Sequence, residues 1–260
     1  MKSVERLMCG KFAAGELRHY VAVKTVVFWG LIFLVWLLYP EENHHSIMTH
    51  TLSFLGSYEA FHNPQWWWLF SLALCFWGAA MIPLVRYAEK RLALISPCGA
   101  RFGALLMYIG ATGIIGVGLF PEGQATIMGN ITTSHGHRAA CLLLEIGVGG
   151  GIFWHGALLL RGACTGGPSG FRYHRFIAPH VFLGLILVPI FWLLASRQFV
   201  FPPLTAEETV SVHTPGSEWY NALNSVRSFP FWENLLITAV FVFLCWFALL
   251  LPSEREGAQV

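Results

Sequence analysis

The sequence predicts an all-α, polytopic membrane protein with six transmembrane helices and both termini in the cytoplasm. Only 12% of its 260 residues are charged and 55% are hydrophobic. A soluble domain carries about 25% charged residues, so the composition excludes a soluble fold. Six apolar runs each approach the ~20 residues that a helix needs to cross the hydrocarbon layer. Nearly every lysine and arginine falls on one side of the membrane that these runs imply.

The six apolar runs are read as helices rather than barrel strands. They lack period-2 alternation, and barrel strands are only ~9–11 residues long. A helix also satisfies its backbone hydrogen bonds internally, as lipid requires. We therefore predict one helical domain between a basic N-terminal arm, residues 1–19, and a C-terminal tail, residues 252–260. Its predicted spans are residues 20–39, 66–85, 102–120, 139–160, 176–195 and 231–251.

The distribution of positive charge sets the orientation. Three of the sixteen basic residues, Arg138, Arg197 and Arg227, are assigned to one side of the membrane. The positive-inside rule places the side with the excess in the cytoplasm, which leaves residues 40–65, 121–138 and 196–230 as extracytoplasmic loops. The thirteen residues assigned to the cytoplasm are Lys2, Arg6, Lys11, Arg18, Lys24, Arg86, Lys90, Arg91, Arg101, Arg161, Arg172, Arg175 and Arg255.

Charge and cysteine content exclude two further classes of protein. The net charge of +2 is accounted for by the asymmetry across the membrane, so no nucleic-acid partner is predicted. None of the six cysteines falls in a predicted extracytoplasmic loop, and therefore no disulfide framework is expected. The chain contains no CxxC motif, which argues against a thiolate metal site.

Histidines and glutamates gather in the predicted extracytoplasmic loops. Imidazole and carboxylate groups are the usual ligands of a catalytic zinc, which takes three protein ligands and a water. His50, Glu122 and His137 form the candidate metal site, with a divalent metal such as zinc as its cofactor. No HExxH spacing is present, and solvated or structurally bonded histidines explain the pattern as well. The residues concerned are His44, His45, His50, His62, His135, His137, His213, Glu41, Glu42, Glu59, Glu122, Glu207, Glu208 and Glu218.

Glu145 is the carboxylate that the sequence places deepest in a span. The i, i+4, i+8 spacing of His137, Cys141 and Glu145 puts the three on one helix face. A carboxylate in lipid is costly, so we expect Glu145 to face the bundle interior beside a partner. Two interpretations remain open. Glu145 is a proton carrier, or it is neutralised by Arg138 or by protonation and serves helix packing.

Two motifs together resemble a known family. Thr51-Leu-Ser-Phe-Leu-Gly-Ser follows a span that ends in Tyr-Pro, and Gly116-Val-Gly-Leu-Phe-Pro-Glu precedes His137. Their order resembles a bacterial family of six-helix membrane proteins classed as a domain of unknown function. That family is distantly similar to eukaryotic autophagy-modulator and GPI-lipid-remodelling membrane proteins. The resemblance implies location in a bacterial inner membrane and signature positions at Ser53, Gly56, Phe120, Pro121 and His137. The family often has an acidic residue where this chain has Phe54.

Three functions fit these observations. The first is an enzyme-like extracytoplasmic site that acts on a lipid or lipid-linked substrate, with His50, Ser53, His137 and Glu145 as candidate catalytic residues. The second is a non-enzymatic lipid or small-molecule carrier in which Glu145 titrates. The third is a membrane assembly partner, a homo-oligomer or the docking subunit of another membrane protein, because glycine-rich helices let backbones approach closely. Membrane lipids are the expected partners in each case.

Overall fold

The protein is a bundle of membrane-spanning helices. The computed structural model describes residues 3–43, 45–168, 171–201 and 216–252. Within these residues, six helical segments are long and apolar enough to cross a membrane, which confirms the predicted fold class. They are Gly15–Leu37, Trp67–Leu92, Pro97–Leu119, Thr133–Cys164, Tyr173–Ala195 and Phe229–Leu250.

Short elements connect and interrupt these spans. The α-helices are α1 (Ser3–Met8), α2 (Ala14–Leu37), α3 (Trp67–Leu92), α4 (Pro97–Leu119), α5 (Thr133–Leu144), α6 (Gly150–Cys164), α7 (Ile177–Ala195), α8 (Glu218–Leu223) and α9 (Phe229–Leu250). A π-helical turn, Glu145–Gly149, joins α5 to α6 within the fourth span. Short 3-10 turns cover Glu41–Asn43, Leu52–Gly56 and Tyr173–Phe176. An antiparallel pair of strands, β1 (Thr126–Met128) and β2 (Ile131–Thr132), precedes α5.

The fourth span begins earlier than its hydrophobicity predicts. The apolar run starts at residue 139, but α5 begins at Thr133. Thr132 and His135 explain the difference, because their side chains form a reciprocal cap: His135 Nδ1 lies 3.2 Å from the Thr132 amide and 2.9 Å from its hydroxyl. The cap allows the helix to begin about one and a half turns before the apolar run, and the polar residues of these turns include His137.

Glycines bring α4 and the fourth span into close contact. A Cβ atom on Gly110 would lie 2.7 Å from the backbone nitrogen of Val148, and one on Gly113 would lie 2.8 Å from the Ala140 carbonyl oxygen. Gly103, nearer the start of α4, faces the ring of His155 on α6. The tight packing that the glycines predict is therefore confirmed, and it fixes the fourth span against α4 along most of its length.

One end of the bundle is formed by residues 38–43, 45–66, 120–132, 196–201 and 216–228, and we call it the long-loop end. Asn234 on α9 ties this end together, since its amide donates to the His50 carbonyl at 3.0 Å and to the Pro230 carbonyl at 2.8 Å. The hydroxyl of Ser228, which also caps α9, donates to the Met48 carbonyl. The first loop is thereby pinned to the start of the sixth span.

The opposite end holds α1 and the end of α9. Arg86 Nη1 donates to the Met8 carbonyl at 3.0 Å, and the Lys90 ammonium donates to the Cys9 carbonyl at 2.6 Å. The Tyr87 hydroxyl donates to the Leu251 and Pro252 carbonyls at 3.3 and 3.1 Å. These contacts hold the first residues of the chain and the end of the sixth span against the end of α3.

Lys24 corrects the count of basic residues in the predicted cytoplasmic segments. It lies within α2, ten residues after the helix begins, and its side chain is only 2% exposed. At 1.5 Å per residue the position is roughly 6 Å beyond Tyr20, where the apolar residues of α2 begin. Lys24 is therefore an intramembrane residue rather than a topology signal, because apolar residues flank it on both sides of the sequence.

Candidate functional site

Four ionisable side chains and one thiol meet at the long-loop end. We call Glu122, His137, Cys141, Glu145 and Glu233 the His137 cluster. His137 and Cys141 lie one turn apart on α5, and Glu145 opens the π turn that follows. Cys141 lies within electrostatic range of all three carboxylates, and Glu233 interacts with both Glu122 and Glu145. The shared face predicted for His137, Cys141 and Glu145 is therefore confirmed.

His137 is held by the end of α4. Its Nδ1 lies 2.8 Å from the carbonyl oxygen of Phe120, and its side chain is buried. Because a carbonyl oxygen can only accept, Nδ1 carries a hydrogen and donates it. The proline at 121 cannot continue the helical ladder, so α4 ends at Leu119 and the Phe120 carbonyl is left for the imidazole. The Phe-Pro motif thus has a structural role that positions His137.

His137 and Glu122 lie close enough to interact electrostatically. His137 Nε2 lies 3.4 Å from Glu122 Oε2, and the Glu122 side chain is partly exposed. Nδ1 already carries the hydrogen that it donates to Phe120, so Nε2 is the ring atom through which His137 can take up or release a proton. An imidazolium at His137 would be stabilised by the Glu122 carboxylate.

Glu145 differs from its prediction in one respect. Its side chain is exposed on the surface of the chain, so the expectation that it faces the bundle interior is wrong. Arg138, its predicted partner, forms no ion pair with it among the described residues. Glu145 is the first residue of the π turn, which changes the direction of the side chains that follow it. The neighbours of Glu145 are instead Glu233 and the Cys141 thiol.

Glu233 is the residue that the sequence reasoning missed. It lies in the second turn of α9 and is half-buried. Its position two residues inside the sixth apolar run was visible in the sequence, but nothing along the chain links it to residues 122 or 145. The contact is made only when Ser228 and Asn234 pin the start of α9 to the first loop. An acidic residue at the edge of an apolar span is the signal that could have found it.

The first loop clamps the segment that carries Glu122. The Tyr58 hydroxyl lies 2.8 Å from the Thr133 hydroxyl and accepts from the Ala125 amide at 2.6 Å. Glu59 Oε1 accepts from the Gln124 amide at 3.0 Å. These bonds fix residues 123–125 to both the first loop and the start of α5. Glu122 is therefore placed by a rigid connection rather than by a free loop.

His45, His50 and His62 form a second group, separate from the His137–Glu122 pair. The rings of His45 and His50 are 5.2 Å apart and those of His50 and His62 are 6.3 Å apart, with Tyr39 packed beside His45. His50 is fully buried and bonds the Thr49 hydroxyl at 2.8 Å. Burial raises the pKa of the Tyr39 phenol, so this neighbour stays neutral. The group packs the first loop as an aromatic cluster.

The candidate metal ligands are not assembled as a set. Glu122 and His137 meet, whereas His50 packs with His45 and His62. No three His, Cys, Asp or Glu side chains of the described residues are arranged to hold a metal ion. Ser53, the predicted positioning residue, is half-buried with its hydroxyl 2.8 Å from that of Thr51. His44, Glu207, Glu208 and His213 lie outside the described residues.

Comparison with protein-family models, with curated proteins and with solved structures gave no match, so the resemblance carried by residues 51–57 and 116–122 stays a prediction.

Proposed function

We propose that the His137 cluster is an acid–base site that acts on a lipid or lipid-linked substrate at the membrane surface. The observation that carries the proposal is the approach of His137 Nε2 to Glu122 Oε2, 3.4 Å apart, near two further carboxylates. A positioned acid or base contributes roughly 10²–10⁴-fold to a rate. Hydrolysis and group transfer both need such a proton on a leaving oxygen.

The roles follow from position. His137 is the proton donor and acceptor, because the Phe120 carbonyl fixes its ring and tautomer. Glu122 stabilises the imidazolium after the imidazole has taken a proton. Glu145 and Glu233 contact the polar part of the substrate, since both are accessible from the surface of the chain. Ser53 is proposed to help orient the substrate from the first loop, where its hydroxyl bonds Thr51.

The substrate class follows from where Glu145 lies. It is exposed on a span more than two turns from the start of α5, at roughly 18 Å along the helix. A side chain at that depth meets lipid rather than bulk water, so a headgroup or lipid-linked polar group can reach it from the membrane. We place this face outside the cytoplasm of a bacterial inner membrane, because the flanking lysines and arginines favour that orientation.

The proposal relies on proton transfer by side chains. A zinc or other divalent metal at His50, Glu122 and His137 was predicted from ligand types alone, and the described residues bring two of these three together. A metal-assisted version of the reaction therefore needs a ligand from outside the described residues. Metal analysis of the purified protein tests that version separately.

A second candidate function is a carrier in which Glu145 binds and releases a proton together with its cargo. The specific observation for it is the π turn at Glu145, because π turns inside long helices frequently occur at functional sites. If so, a Glu145→Gln variant would lose pH-dependent movement of lipid or small molecules across liposome membranes. Neither the variant nor the wild-type protein would change the lipid chemically. If wild-type protein changes lipid chemically, the carrier alone does not explain the site.

The test is lipid turnover by the purified protein in liposomes of bacterial polar lipids, followed by mass spectrometry. His137→Ala should abolish product formation, and Glu122→Gln should reduce it by about 10²-fold, since the acid–base step is lost. His19→Ala is the matched control: it removes an exposed histidine on α2 that takes no part in the His137 cluster. Equal activity in wild type and His137→Ala would refute the proposal.

A further inference from the structure

A second site lies in the interior of the bundle, away from the His137 cluster. A cavity of about 40 Å³ is enclosed by α2, α3, α4, α6 and α9. Two of the side chains that line it are polar, Lys24 and His155, and the others are apolar. A cavity needs only roughly 10–15 Å³ to hold one water, so a halide or a carboxylate group fits here.

Lys24 brings a positive charge into this apolar space. Its Nζ meets no oxygen or nitrogen acceptor among the described residues. Its near neighbours are the Phe241 ring, whose centroid lies 4.6 Å from Nζ, and the thiol of Cys245. A ring face attracts a cation weakly, and a neutral thiol is a poor acceptor. Lys24 is 2% exposed, so its ammonium does not reach the surface of the chain.

His155 supplies a second donor on the facing helix. It is 4% exposed, and its Nε2 has no hydrogen-bond partner among the described residues. The ring stacks on Phe247 at 5.7 Å, and it presses against Gly103, where a Cβ atom would lie 2.6 Å from its Cδ2. A neutral imidazole can carry its hydrogen on Nε2 and donate it. Gly103 and Phe247 thus hold the donor in place.

We propose that Lys24 and His155 form a binding site for one small monovalent anion within the membrane. Two buried polar groups line one cavity that has no carboxylate among its lining residues, so a protonated Lys24 lacks a counter-charge that a bound anion would supply. An isolated ammonium in hydrocarbon is costly, whereas a paired one is tolerated. The same chemistry has two sources: a halide from water, or the carboxylate of a fatty acid whose chain extends into lipid.

The test uses the full-length protein in detergent and bromide as the probe. Crystals grown in sodium bromide should show an anomalous peak between Lys24 and His155. In solution, chloride should raise the Tm relative to gluconate, because a ligand that binds only the folded state stabilises it. Lys24→Met, which keeps the side-chain length without the charge, should lose the shift, while Lys11→Met on the exposed N-terminal segment should retain it.

These measurements distinguish a bound halide from a bound fatty acid, and a variant that does not fold from a site that binds no anion. A bromide peak in the cavity identifies a halide, and one fatty acid per protein in solvent extracts of wild type but not of Lys24→Met identifies a lipid carboxylate. Should Lys24→Met not fold, the wild-type diffraction and lipid extraction still decide. Bromide only at surface lysines (an adventitious ion only), with no bound fatty acid, overturns the proposal. Loss of lipid turnover in His137→Ala leaves this site untouched.

Discussion

Gly110 on α4 lies so close to Val148 on the fourth span that no larger residue fits between the two backbones. A Cβ atom on Gly110 would be 2.7 Å from the Val148 nitrogen and 2.6 Å from its Cγ2. The contact falls within the π turn that begins at Glu145. Close packing on α4 therefore lies next to the His137 cluster, because the turn that presses on Gly110 begins at Glu145.

Gly110→Ala should destabilise the fold and disturb the site. Overpacking costs about 1–3 kcal/mol, and backbone atoms yield less readily than side chains, so we expect the upper part of that range. Thermal unfolding in detergent measures it. Gly149→Ala is the control, because nothing lies within 4 Å of a Cβ atom there. Equal Tm values for the two variants would contradict the close approach.

Tyr58 and Thr133 should be coupled energetically. Tyr58→Phe removes the hydroxyl that meets Thr133 and the Ala125 amide, and each lost hydrogen bond costs about 1 kcal/mol. Thr133→Val removes one of the same bonds. A double-mutant cycle on unfolding free energy should therefore give a total below the sum of the single effects. Strict additivity would mean that the first loop does not clamp the Glu122 segment.

Asn234→Ala should release the start of α9 from the first loop. The amide donates to His50 and Pro230, and its loss leaves buried carbonyls unsatisfied at about 1–3 kcal/mol. Because Glu233 is the next residue, lipid turnover should fall together with the Tm. Asn221→Ala on α8 serves as the control, since its amide makes a 3.4 Å bond to Gly216 and is exposed. Retained turnover in Asn234→Ala would separate Glu233 from the site.

Glu233→Gln should raise stability and lower activity. When Glu233 is ionised its charge is repelled by Glu122 and Glu145, so a neutral amide removes repulsion between like charges. We expect the Tm to increase by a few degrees while activity falls, because functional sites keep residues that lower stability. Glu218→Gln on α8 should leave the Tm unchanged or slightly lower, because a carboxylate in the first turn of a helix is favourable. A lower Tm for Glu233→Gln would show that its charge is paired.

Composition predicts the number of spans because the lipid around them restricts which segments can cross it. Hydrocarbon demands about 20 apolar residues per helix and internal backbone bonds, so spans can be counted along the chain. Polar ends are less predictable. Residues 133–138 are polar and yet helical, because the Thr132–His135 cap replaces hydrophobicity as the reason to begin a helix. Lys24 was counted with the cytoplasmic basic residues because it is charged, although apolar residues precede and follow it in α2.

The candidate site was predictable where its residues share one helix. His137, Cys141 and Glu145 follow a helical repeat that can be read directly from the sequence. The partnership of His137 with Glu122 was expected only as part of a larger set. In the structure His137 and Glu122 lie together, whereas His50 packs in a different cluster with His45 and His62. Side chains on loops have no fixed spacing, so their neighbours depend on how the loops fold back.

The amino-acid order by itself determined a helical membrane protein and the face of α5 that carries ionisable groups, because both depend on short-range periodicity. Tertiary contact alone decided that Glu233 joins Glu122 and Glu145, that α4 packs against the π turn beginning at Glu145, and that Lys24 and His155 share a cavity. These relationships join residues far apart in the chain. They exist only once glycine contacts and loop hydrogen bonds have fixed the helices against one another.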